Sequence, residues 1–120
     1  MAKMYQLTFS VSDEMIAGEE GTKKSIKEAE IMMLKNMFQI ASAHEKDLGK
    51  ALECRDCMSQ LDNLSGEEIL FTKQDLDYLK VGFEKTEGNR PAFWVEKCGD
   101  LLEQINNPKE TDTESPKAKK

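Results

Sequence analysis

The chain has 120 residues, about the size of one domain, and that length can bury a core without disulfide or metal staples. Charged residues make up 33% and apolar residues 38%, which excludes a disordered chain and describes a folded, highly charged one. The net charge of −6 argues against direct contact with nucleic acid, whose phosphates are bound by neutralising them with Lys and Arg.

The first residues, MAKMYQLTFSVS, alternate polar and apolar and lack the apolar core of a secretory signal. Tyr5, Leu7, Phe9 and Val11 are apolar, with polar residues between them. This period of two predicts a strand over residues 4–11 with one buried face. SDEMIAGEEG follows as a polar loop, in which Ser12 with Asp13 and Glu14 suits a short helical turn.

From Thr22 the period lengthens. Ile26, Ala29, Met33, Met37, Ile40, His44 and Leu48 recur at helical spacing, and Ile31, Leu34, Phe38 and Ala41 form a second stripe beside them. Such a helix is buried on more than one side, as the central helix of a domain or the seam of an oligomer. The pattern runs on to Leu61 without a proline. Residues 22–64 are therefore one helix of about 40 residues, some 60 Å long, or two helices meeting around residues 43–49. Ordinary helix lengths favour two.

NLSGEE breaks the pattern. Ser65 with Glu68 and Thr72 with Asp75 have capping-box spacing. EILF between them suits a short strand that pairs with residues 4–11. Thr72 is expected to start a helix carrying Leu76, Leu79 and Phe83 and ending at Gly88. Asn89 and Pro91 are expected to open the last helix, with Trp94, Val95, Cys98, Leu101, Leu102 and Ile105 as its apolar stripe. Residues 107–120 hold one alanine and no larger apolar side chain, and read as a disordered polar tail. The expected architecture is a mainly α single domain over residues 1–106. It has about four helices and one or two short strands.

LECRDCM places Cys54 and Cys57 in a C-x-x-C spacing. A redox pair needs that spacing at a helix start, where the dipole lowers a thiol pKa; here it falls inside a helical pattern. Zinc needs four ligands, and Cys54, Cys57, Cys98 and His44 come together only if the chain turns near Gly49. The three cysteines, with no secretory signal, read as reduced thiols in a cytoplasmic protein, and buried cysteine behaves as a small hydrophobe. His44, the single histidine, falls on the line of an apolar face and reads as a core or boundary residue. No phosphate loop, H-E-x-x-H, calcium loop or G-x-S-x-G occurs. No enzyme activity, cofactor, metal or membrane span is expected.

GNRPAFW is the most suggestive surface stretch. Arg90 and Pro91 lead into Phe93 and Trp94, and Arg and Trp are among the residue types enriched at binding hot spots. Trp94 fits the helix stripe and reads as core, while Phe93 lies off it and reads as an exposed anchor. Met32 is a further adaptable contact on the Met-rich helix. The expected partner-binding residues are thus Arg90, Phe93 and Met32. The expected function is that of a small acidic protein-binding factor: a regulator, inhibitor or assembly chaperone. Its partner is a protein, which includes a second copy in a homodimer. The alternative is a structural zinc-binding or thiol-responsive module built on Cys54, Cys57 and Cys98.

Overall fold

A computed structural model of the chain describes residues 4–11, 14–17, 23–64 and 66–111. It is a small mainly α domain with four helices and a few short strands. Strand β1 (Met4–Thr8) lies at the centre of an antiparallel sheet of order β4-β1-β5. Strand β4 (Glu68–Thr72) pairs along its full length, with Tyr5 opposite Phe71 and Leu7 opposite Ile69. The expected partnership of EILF with the first strand is therefore present. Phe9 N–H adds one more bond, 2.7 Å to Glu67 O. The alternation turns Leu7, Phe9, Ile69 and Phe71 into the core.

Two features add to the expected strands. Strands β2 (Met15–Ala17) and β3 (Lys23–Ser25) pair antiparallel as a separate two-stranded sheet. Met15–Ala17 is thus extended, where a loop with a helical turn was expected; Ser12 and Asp13 lie outside the described residues. Strand β5 (Lys109–Thr111) pairs with β1 through residues 4–6, so the polar segment after 107 does not begin as a tail. Its remainder, 112–120, is outside the described residues.

Helix α1 (Ile26–Ala43) and helix α2 (Leu48–Asp62) are separate. Ser25 and Glu28 form a full capping box at the start of α1. The break falls at residues 44–47. Asp47 caps α2 by accepting the Lys50 N–H, while Gly49 sits inside the first turn rather than at the break. His44 is the exposed C-cap residue of α1, which corrects its expected place on a buried or boundary face. The two stripes on α1 both go inside: Met33, Leu34, Met37 and Phe38 are fully buried. α1 is the central helix, packed against α2, α3 and α4.

Helix α3 (Lys73–Lys85) opens on the Thr72–Asp75 capping box and ends at Thr86, before Gly88, which holds a φ of 86° in the following turn. The Ser65 half of the other expected box is outside the described residues, and Glu68 begins a strand. Helix α4 (Ala92–Asn106) has Pro91 rather than Asn89 at its N-cap. Trp94, Cys98, Leu101 and Ile105 face inward, whereas Val95 stands 57% exposed.

Candidate functional site

Arg90 does not stand free in its loop. Its Nε donates to Thr86 Oγ1 at 3.0 Å and its Nη2 donates to Phe83 O at 2.7 Å. Its guanidinium lies 3.6 Å from the centre of the Phe83 ring. A cation is thereby placed at the C-terminal end of α3, where the helix dipole favours it, on a carbonyl that also accepts from the Thr86 N–H and hydroxyl. The Phe83 ring stacks on Trp94, centroids 6.5 Å apart at 30°. Phe93 is half-buried and packed against the core rather than exposed as an anchor. Trp94 is buried, as expected, and among the described residues its Nε1 has no hydrogen-bond partner.

Phe83 also faces a groove. Gly82 lets α3 come down on the backbone of α1, since a Cβ there would lie 2.1 Å from Met37 O. α4 packs on α1 through Trp94, Cys98, Leu101 and Ile105. Both helices are held by α1 and touch each other little, which leaves a channel between them with Met37 at its floor. Phe83 on one side and Leu102 and Ile105 on the other give it apolar walls, with Lys80, Glu84 and Asn106 at its edges and a volume of about 290 Å³. Phe83, Leu102 and Ile105 were visible in the sequence only as core-stripe positions. Phe83 and Leu102 are half-covered and Ile105 is buried, and nothing in helical spacing tells a half-covered stripe residue from a fully covered one.

Around the other side of α4, Ser10, Glu14, Glu30, Glu96 and Asp100 line a polar cleft of about 310 Å³. Lys97 Nζ donates to Glu14 at 2.7 Å. Glu30 is 2% exposed and accepts the Ser10 N–H at 2.8 Å. Burial raises its pKa above the ordinary carboxylate value, the Ser10 N–H works against that rise, and Asp100 adds to it.

Met32, the third expected contact, is 46% exposed on α1, with the Lys24 ammonium 2.9 Å from its sulfur. Leu48, 75% exposed, and Leu52 form a separate apolar spot on α2. Arg90 and Phe93 are near neighbours at the α3–α4 turn; Met32 belongs to a different face, lined with Lys23, Lys24, Glu28 and Ile31.

Cys54, Cys57 and Cys98 are free and buried. Burial pushes the Cys54 thiol up to about 11, with the carboxylates of Glu45, Asp75 and Glu53 adding to it. Burial also raises Cys98 to about 11, with help from Glu30, and raises Cys57 further, with Asp75 contributing. Thiols held protonated in this way are weak nucleophiles and weak metal ligands. Among the described residues no group of three or more His, Cys, Asp or Glu is placed to hold a metal ion. No described helix is long and apolar enough to cross a membrane. No family model matches the chain, and no curated protein or solved structure matches it either.

Proposed function

We propose that the protein is a small protein-binding factor, a regulator, inhibitor or assembly chaperone, that acts by contact rather than catalysis. The observation that carries this reading is the apolar groove between α3 and α4, walled by Phe83, Leu102 and Ile105. A groove of this kind suits a side chain or helix of another protein. GNRPAFW has a place in this reading: Arg90 stacks on the Phe83 ring and donates to Phe83 O, so the loop fixes a wall residue of the groove instead of reaching out from it. A pre-organised apolar groove lowers the entropy cost of docking. A cytoplasmic setting with reduced thiols fits the buried cysteines. The alternative of a zinc-binding or thiol-responsive module draws no support from thiols that burial keeps protonated.

The test is affinity purification of the tagged chain beside two variants whose fold is verified by circular dichroism. Leu102→Glu puts a charge in the groove, and Leu48→Glu does the same on α2. A partner that binds through the groove is present with the native chain and with Leu48→Glu, and absent with Leu102→Glu. Equal recovery with all three variants, or loss with Leu48→Glu alone, removes the groove from the function.

A further inference from the structure

The apolar surface does not stop at the groove. Leu102 and Asn106 also belong to the outer face of α4, where they share one concavity with Val95 and Gly99 across the kink at Cys98, whose φ of −109° and ψ of 17° depart from the helix. They line a shallow concavity of about 550 Å³. A Cβ built at Gly99 meets nothing within 4 Å, so the middle of the face is a dip open to an incoming side chain. Along its far edge run Glu96, Asp100 and Glu103, all exposed. Lys97 is the cation among the described residues that line this concavity, and it is engaged by Glu14. The face therefore carries two apolar side chains, Val95 and Leu102, about the dip at Gly99, with the groove on one side and a negative ridge on the other.

We propose that this face of α4 docks a basic amphipathic helix of a partner protein. The inference rests on the protein-binding reading and names the chemistry of the partner. Leucine-like side chains at helical spacing fill the groove and the dip at Gly99, while Lys and Arg on one edge meet Glu96, Asp100 and Glu103. A helix suits the site better than a strand. The site is the side of a helix, whose backbone groups bond within the helix, so it offers no strand edge to extend. A second copy of this chain suits it poorly, because none of α1–α4 carries net positive charge: α1 balances Lys27 and Lys35 against Glu28 and Glu30, and α4 is itself acidic.

The experiment uses the full chain, labelled for NMR, and a synthetic peptide of about fifteen residues with leucines on one face and lysines on its flanks. Shift changes are expected to centre on Val95, Gly99 and Leu102. Affinity is expected to fall with added salt and to fall about tenfold in Glu96→Gln/Asp100→Asn/Glu103→Gln. Asp77→Asn on α3 should leave it unchanged, and the peptide with Glu in place of Lys should not bind. Three results overturn the inference: shifts centred on Leu48 and Leu52 or on Met32, equal binding by the triple variant, or binding of the acidic peptide. A groove-dependent cellular partner found together with a basic peptide that leaves α4 untouched also overturns it, while the protein-binding reading stands. If the partner found is a second copy of the chain, the basic-helix assignment falls as well.

Discussion

Gly82 and Glu30 are two residues whose importance comes from what packs against them. Gly82 sits in the middle of α3, where glycine is otherwise a poor helix residue, and its missing Cβ admits the Met37 carbonyl. Gly82→Ala should lower stability by about 1–3 kcal/mol, despite the roughly 1 kcal/mol that alanine gains over glycine in a helix. The check is the urea midpoint; an unchanged or higher midpoint contradicts the close crossing. Glu30 is a buried carboxyl with a raised pKa. The folded protein therefore holds this proton more tightly than the unfolded chain. Its favourable contribution is complete below the ordinary value of 4.5 and is lost as pH rises through the raised folded value. Glu30→Gln keeps an acceptor for the Ser10 N–H and removes the charge. It should be more stable than the native chain at pH 7, and the difference should shrink toward pH 4. A constant difference across that range would count against a raised carboxyl. Neither residue could be picked out from LKVGFEK or IKEAEIM, because close backbone approach and burial of a charge are tertiary facts.

Among the elements, those with local signals were legible. β1 and β4 follow from alternation and from the need of one strand for another, and the Thr72–Asp75 box starts α3 where its spacing says it should. The division of residues 22–64 was legible as a choice between one helix and two. α1 ends at its His44 C-cap, and what starts α2 is the Asp47 cap rather than Gly49, a side-chain bond of the kind that sets helix starts. β5 was not legible. Lys109–Thr111 buries little, so composition reads it as tail, and it is held instead by backbone pairing to β1. Gln104 extends that pairing: its carboxamide accepts from Thr8 N–H at 2.7 Å and donates to Thr8 O at 2.9 Å, as a strand backbone would. Gln104→Ala should cost about 1 kcal/mol, since water replaces part of what is lost at this exposed rung. The Thr8 amide should exchange faster with solvent in the variant. An unchanged exchange rate would mean that Gln104 does not complete the edge.

At the scale of the whole molecule, the mainly α class and the central place of α1 were readable from two adjacent apolar stripes. The groove was not, because it is a property of three helices at once: α3 and α4 each meet α1 and leave space between them. The sequence directed attention to Arg90 and Phe93, which lie at the turn that joins the two walls. Arg90 is bound to Phe83 and Phe93 packs against the core, and the groove itself is lined by Phe83, Leu102 and Ile105. The most direct test of partner binding through this surface is site-specific photo-crosslinking in cells, with a photoreactive residue at Leu102 and, separately, at Leu48. Docking in the groove gives one discrete adduct from position 102 and none from position 48. No adduct from position 102, or the same adducts from both positions, would contradict it.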